Sequence, residues 1–191
     1  MSFLSELKKQ KSKLKETETV VTKVDGQRYS EKNCNITAVY PNTFGFVVDT
    51  KPDSTPALIT DYLYIGSQDC AAANVIDTNN IKHVLSLGIH VDVTVDNKHI
   101  TCLDLPETNI KDTLHDCLTY IRKAVESKEN ILVHCNAGVS RTSMVTIAYL
   151  MHYERMEFQD AYALVKSKRP AIQPNDGFKK QLKVMTPGQL I

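Results

Sequence analysis

Nothing in this chain of 191 residues approaches the roughly 20 consecutive apolar positions that a membrane-spanning helix needs, so no transmembrane span is expected. Neither sign of charge dominates. Lys and Arg number 23 against 22 Asp and Glu, a formal net charge of +1, which removes the electrostatic case for nucleic acid or a strongly acidic partner. The start, Met-Ser-Phe-Leu-Ser-Glu-Leu-Lys-Lys, lacks a basic segment followed by a long apolar one, so no secretory signal is expected. Met1-Ser2 does not begin a myristoylation sequence, and the closing Gln-Leu-Ile has no prenylation cysteine. The five cysteines, at 34, 70, 102, 117 and 135, are odd in number and contain no Cys-x-x-Cys pair. A reducing compartment, cytoplasm or nucleus, is the economical expectation. Tryptophan is absent altogether. There is no internal repeat and no low-complexity segment.

What is present divides unevenly. In residues 1–55, Phe3, Leu4 and Leu7 precede Lys8, Lys9, Lys11, Lys13 and Lys15, which suggests a short basic amphipathic helix. Its plain reading is a solvated face; a kinase-docking or membrane-surface role is the alternative. Residues 19–24 are rich in Val and Thr, Asp25-Gly26 fits a hairpin turn, and 49–56 reads as a linker. From 56 to 188 the pattern alternates. Strands are expected at Tyr62–Ile65, at 81–88 and at 99–104, and a short helix at Ala71–Ile76. Leu114, Cys117, Leu118, Ile121, Ala124 and Val125 fall on one helical face, Phe158, Ala161, Leu164 and Val165 on another, and Phe178 and Leu182 on a last one. The order predicts an α/β sandwich, with a mainly parallel central sheet flanked by helices.

The most informative dozen is 131–142, Ile-Leu-Val-His-Cys-Asn-Ala-Gly-Val-Ser-Arg-Thr. The aliphatic run Ile131–Val133 reads as a buried strand, and the mostly apolar stretch from Arg141 to Tyr153 has helical character, with a buried helix expected at 142–154. Between them lies a tight loop with a thiol at its entrance and a guanidinium at its exit. Backbone N–H groups of such a loop, feeding a helix N-terminus, form a nest for a tetrahedral oxyanion. The same field favours a thiolate at Cys135. Arg141 can grip two phosphate oxygens with its planar fork, and Gly138 suits close backbone approach or positive φ. The thiolate then lies beneath a bound phosphate, in line with phosphorus.

This segment resembles the Cys-x5-Arg phosphate loop of cysteine-based protein tyrosine phosphatases, in the His-Cys-x-x-Gly-x-Ser-Arg-Thr form of the dual-specificity branch. Leu63-Tyr-Ile-Gly-Ser-Gln-Asp and Arg169-Pro-Ala-Ile-Gln-Pro-Asn-Asp-Gly-Phe are also similar to family sequence, so the likeness covers about residues 57–187. Small atypical members linked to stress-activated kinase signalling are nearest in appearance. The resemblance implies a three-layer tyrosine-phosphatase-like fold, with the catalytic domain at 56–188 and a basic extension and linker at 1–55. A rhodanese-like docking domain does not fit into so short an extension.

For the site, the resemblance implies that Cys135 is the nucleophile. Phosphate is held by Arg141 with Asn136, Ala137, Gly138, Val139 and Ser140, and no metal or cofactor takes part. Thr142 is similar to the hydroxyl that bonds the departing thiolate, and His134 to the residue that orders the loop. Asn175 is expected to support it. A thiolate attack also demands a general acid on a separate, movable loop. Asp104-Leu-Pro-Glu-Thr-Asn109 has the family's Asp-x4-Asn spacing, which makes Asp104 the candidate, with Glu107 and Asp112 in reserve. Asp112 is alternatively an N-cap of the next helix. Cys70, Cys102 and Cys117 read as core fillers.

The expected activity is hydrolysis of phosphotyrosine and phosphoserine or phosphothreonine in signalling proteins, such as those of a stress-activated MAP kinase pathway. A phosphoinositide phosphatase typically carries Lys in this loop, where Asn136, Ala137 and Val139 stand here. An RNA 5′-triphosphatase usually lacks the Asp acid. A phospho-binding scaffold usually loses the nucleophile. With no tryptophan, the chain cannot carry the Trp-Pro-Asp loop of tyrosine-specific enzymes.

Overall fold

The computed structural model describes residues 19–22, 28–32, 35–40 and 53–191. The expected basic helix, the Asp25-Gly26 turn and the linker up to residue 52 lie outside the described residues, as does Cys34. The chain separates into two compact units, Met1–Thr43 and Phe44–Ile191. The first contains an antiparallel sheet of β1 (Thr19–Thr22), β2 (Arg28–Lys32) and β3 (Asn35–Tyr40) in that order. Ser30 Oγ lies 2.9 Å from Thr37 Oγ1 where the β2–β3 register shifts.

The second unit carries a five-stranded sheet in the order β4-β5-β8-β6-β7. Its strands are β4 (Ala57–Thr60), β5 (Leu63–Gly66), β6 (Ile81–Leu87), β7 (Asp96–Ile100) and β8 (Asn130–His134). Only β4 runs antiparallel. β8 lies at the centre, with Ile65 opposite Val133 on one side and Leu85 opposite Val133 on the other. Both faces of β8 are covered, which explains its unbroken apolar run. Leu132 packs with Cys70, Ile76, Ile81 and Val84 on one face. Ile131 and Val133 pack on the other, against the larger core that includes Leu118, Met144, Tyr149 and Phe178. Successive strand residues point to opposite faces, so the two clusters are the two halves of a three-layer α/β sandwich.

The helices are α1 (Ala73–Thr78), α2 (Lys111–Glu126), α3 (Arg141–Tyr153), α4 (Phe158–Lys168) and α5 (Asp176–Lys183). Every residue of α3 from Arg141 to Met151 is buried, so it is the central helix of its layer. No helix among the described residues is long and apolar enough to cross a membrane.

Three boundaries differ from the sequence expectation. The helix placed at Ala71–Ile76 is a 3-10 turn (Gln68–Ala71) followed by α1, because Ser67 caps the turn through Asp69 N–H and Ala72 breaks it in an extended conformation. The strand placed at 99–104 runs Asp96–Ile100. It follows β6 as far as Leu87 and stops where Gly88, at φ +72°, turns away. Residues beyond Ile100 leave the sheet, and the Cys102 carbonyl accepts from Arg141. Asp112 is not the N-cap of α2: it lies in the first turn, and Asn109 Oδ1 accepts from Lys111 N–H at 3.1 Å instead.

Candidate active site

β8 ends at His134, α3 begins at Arg141, and Cys135–Ser140 bridge them at the carboxyl end of the sheet, where open α/β folds bind ligands. Four successive loop carbonyls are each held from outside the loop. Asn136 O accepts from Gln68 N–H at 2.9 Å, and Val139 O from Gln173 N–H at 2.9 Å. Arg169 supplies the middle two, donating Nη2–H to Ala137 O at 3.3 Å and Nε–H to Gly138 O at 3.0 Å. In a planar trans peptide the N–H points opposite to the carbonyl. Fixing these carbonyls outward therefore turns the N–H groups of Ala137, Gly138, Val139 and Ser140 to the other side. None of those four amides donates to a protein group among the described residues. Gly138 makes the turn possible: its φ is +66°, and a Cβ would stand 2.5 Å from the Gly66 carbonyl carbon and oxygen.

Cys135 opens the loop, is 2% exposed, and lines a cavity of about 450 Å³ together with Arg141, Asp104 and Asn175. The Arg141 guanidinium is buried and anchored by one corner. Nη1 donates to Leu87 O at 3.1 Å and to Cys102 O at 3.4 Å, while Nε has no hydrogen-bond partner. Gly88 passes so close to Nη1 that any side chain there would collide with it. Thr142, in the first turn of α3, is fully buried and its Oγ1 also lacks a partner. Buried polar atoms without partners are uncommon, and both of these belong to the predicted set.

His134 sits behind the thiol. Its Nε2 lies 2.8 Å from Ser86 Oγ and its Nδ1 3.3 Å from Cys135 O. Burial pushes its pKa down to about 4, against a smaller opposing effect from the Cys135 carbonyl. It is neutral at physiological pH and orients the loop by hydrogen bonding rather than by charge. Burial likewise pushes the Cys102 thiol up to about 11 and raises Cys70 and Cys117, so all three remain protonated core residues.

Asp104 faces the loop from the β7–α2 connection. Its Oδ1 accepts from Ser140 Oγ at 2.6 Å and from Asn175 Nδ2 at 2.7 Å, and its Oδ2 lies 3.8 Å from Arg141 Nε. Ser140 Oγ also accepts from Asn175 N–H at 3.1 Å, so that hydroxyl is engaged with Asp104 and α5. What Ser140 offers the cavity is its amide. The two reserve acids, Glu107 and Asp112, are exposed and do not line the cavity. The predicted residues are thus brought together, with Asn175 more intimately involved than a general support: it holds the Asp104 carboxylate while its Oδ1 caps α5 through Phe178 N–H.

Arg169, Gln68 and Gln173 were not singled out from the sequence. Arg169 carried a signal, since it opens the segment similar to family sequence. In a run ending Lys166-Ser-Lys168-Arg169, however, it reads as one more solvated cation. It is instead 5% exposed, and Asp53 compensates its charge at 2.8 Å. Gln68 and Gln173 act through main-chain N–H groups, which no side-chain pattern reveals. Among the described residues, no group of three His, Cys, Asp or Glu side chains is placed to hold a metal ion.

Comparison with known proteins agrees with this geometry. Residues 63–186 match the family model "Dual specificity phosphatase, catalytic domain". A probable dual specificity protein phosphatase of Dictyostelium discoideum is 35% identical over 224 aligned positions, covering 96% of this chain and 97% of the relative. Dual specificity protein phosphatase 19 of Mus musculus is 37% identical over 150, covering 76% and 68%. The solved leucine-rich-repeat and phosphatase-domain protein of Entamoeba histolytica superposes with a TM-score of 0.63 at 27% identity, over 69% of this chain and 90% of that one. With the phosphate-loop geometry and a family match spanning most of its length, the chain belongs to the dual specificity phosphatases and is a dual specificity protein phosphatase.

Proposed function

We propose that the protein hydrolyses phosphate monoesters on tyrosine and on serine or threonine side chains through a cysteinyl-phosphate intermediate, and that its substrates are phosphoproteins of a MAP kinase pathway, stress-activated in kind. The observation that carries the chemistry is the set of four amides, Ala137 to Ser140, that donate to no protein group among the described residues, beside Cys135 and an Arg141 Nε that makes no hydrogen bond there. Such a nest is complementary to three equatorial oxygens carrying charge in a phosphoryl-transfer transition state.

Cys135 Sγ, as thiolate, attacks phosphorus as the ester P–O bond breaks. Asp104 gives its proton to the departing alkoxide or phenoxide, whose release otherwise leaves a poor anion. The carboxylate of Asp104 then takes a proton from water, whose oxygen displaces sulfur from phosphorus. Thr142 Oγ1 donates to the leaving thiolate, and free phosphate is released. Ser140 and Asn175 hold Asp104 over the loop throughout.

The substrate class is supported by family likeness. A MAP kinase phosphatase with leucine-rich repeats of Dictyostelium discoideum is 36% identical over 132 positions, covering 67% of this chain and 16% of that protein. The loop side chains at 136, 137 and 139 carry no charge, which favours singly phosphorylated side chains over polyphosphorylated rings. Quenched single-turnover reactions with ³²P-labelled phosphotyrosine and phosphothreonine peptides test the reading. Covalent label that survives SDS denaturation at neutral to alkaline pH on the wild type, absent from Cys135→Ser, is the expected result. Full turnover by Cys135→Ser would refute it.

A further inference from the structure

The connection bearing Asp104 is fastened along its length to one helix. Asn175, at the N-cap of α5, holds the Asp104 carboxylate at 2.7 Å. Two residues on, Gly177 lies so tightly against the Pro106 carbonyl that a Cβ would overlap it. One turn further, Gln181 closes the far end with both halves of its amide: Nε2 donates to Thr108 O at 2.8 Å, and Oε1 accepts from Ile110 N–H at 3.1 Å. Thr108 N–H in turn donates to Leu105 O at 3.1 Å, which ties this far end to the residue beside Asp104. A movable acid loop was the sequence expectation. The structure has a loop held at its front by a side chain, in its middle by a packing contact and at its back by a bidentate amide.

We propose that Gln181 is a positioning residue for acid catalysis, setting the height and angle at which Asp104 meets the leaving oxygen although it does not line the cavity. The proposal rests on the reading of Asp104 as the general acid. The physical reason is geometric. Proton transfer needs donor and acceptor within about 2.6–3.2 Å, and a 1 Å displacement caused by a remote residue can cost about a hundredfold in rate. Losing the amide frees Thr108 O and Ile110 N–H and leaves the loop held at its front, through Asn175 and Ser140, and in its middle, through the Gly177–Pro106 contact, with its far end loose. Phosphate binding does not depend on Gln181, because among the described residues none of Gln68, Gln173 and Arg169, which hold the phosphate-loop carbonyls, is hydrogen-bonded to it.

The test compares wild type, Gln181→Ala, Gln181→Glu and Asp104→Asn on aryl phosphates spanning good to poor leaving groups, from nitrophenyl to phenyl phosphate. Each is also assayed for vanadate inhibition. For Gln181→Ala, kcat/KM, which reports cleavage of the ester bond, falls roughly ten- to a hundredfold on phenyl phosphate, while kcat/KM on nitrophenyl phosphate changes less than about threefold and the vanadate inhibition constant is unchanged. Glu keeps the acceptor for Ile110 N–H and loses the donor to Thr108 O, so Gln181→Glu gives a smaller loss of the same kind. In the Asp104→Asn background, Gln181→Ala adds no further loss. A uniform fall in kcat/KM across all leaving groups, or no fall, overturns the proposal for Gln181. If Asp104→Asn itself shows no leaving-group dependence, the acid reading fails instead, and the two failures are distinguished by that one variant.

Discussion

Replacing Arg169 with methionine removes the clamp that turns the middle of the phosphate loop. Arg169 Nε and Nη2 hold Gly138 O and Ala137 O, and Asp53 balances the buried charge. Without the guanidinium, two loop carbonyls lose their donors. Each such group costs about 1–3 kcal/mol if it stays buried. The loop escapes that cost by rotating the two peptide planes until the carbonyls find water. The rotation carries the Gly138 and Val139 amides away from the anion, because each shares a plane with one freed carbonyl. Hydrogen bonds to a charged acceptor contribute about 1.5–3 kcal/mol each, so losing even one weakens phosphate or vanadate binding at least tenfold, and losing both approaches a hundredfold or more.

The assay is the vanadate inhibition constant together with kcat/KM on a phosphopeptide, measured beside a urea melt that shows the variant folded. The vanadate inhibition constant rises and kcat/KM falls by about the same factor, since vanadate occupies the loop as the transferring phosphoryl group does. Lysine in place of Arg169 does not rescue. One ammonium on a flexible stem cannot meet two carbonyls and a carboxylate in three directions. If Arg169→Met, folded, retains vanadate affinity within about twofold of wild type, the loop is held by its own sequence and the clamp argument is wrong.

Further outcomes follow from single contacts. Gly138→Ala loses more than about 2 kcal/mol of stability in urea melts, because φ +66° and a Cβ 2.5 Å from the Gly66 carbonyl leave no room to relax. His134 lowers stability as the solution is acidified. Its folded pKa of about 4 lies below the unfolded value near 6.5, so its contribution is intact above pH 6.5 and is lost as pH falls toward 4. The loss is about 3 kcal/mol, and His134→Gln flattens the pH dependence of the urea midpoint over that window. Asp104→Asn lowers kcat on phenyl phosphate by about a hundredfold or more, and unchanged turnover there sinks the acid assignment.

The difference between what the sequence displayed and what it hid is a difference between side-chain and main-chain information. Ile131–Val133, Gly138 and the apolar length of α3 announce a strand, a left-handed turn and a buried helix through residue types that only those environments favour. The place of Asp104 at the cavity was legible because the Asp-x4-Asn spacing after a strand resembles the family's acid-bearing loop. β4 was not, since Ala57–Thr60 is a four-residue edge strand with Leu58 partly exposed, and edge strands pair through backbone. β7 was displaced because its polar run, Asp96-Asn-Lys-His99, has one neighbouring strand and little burial, so hydrophobic patterning favoured the later apolar residues that actually leave the sheet.

The same distinction explains how the site is held. A loop that binds a dianion must leave its own amides unpaired, so it cannot be stabilised by the hydrogen bonds that ordinarily rigidify a turn. Its order has to come from the carbonyl side. Here it comes from the 3-10 turn after β5, through Gln68, from the residue that ends α4, Arg169, and from the segment leading into α5, through Gln173. Those donors converge only once the sheet and its helical layer have assembled, with α3 buried at the centre. Phosphate affinity is in this sense a property of the packed domain. A core substitution that loosens α3 against β8 should therefore weaken vanadate binding before it unfolds the chain, whereas a loop with locally encoded geometry would keep its affinity up to the melt. Leu150→Ala, at a fully buried position of α3 away from the cavity, separates the two cases. Vanadate inhibition measured well below its melting temperature weakens several-fold if the scaffold sets the loop, and unchanged inhibition shows that the loop sets itself.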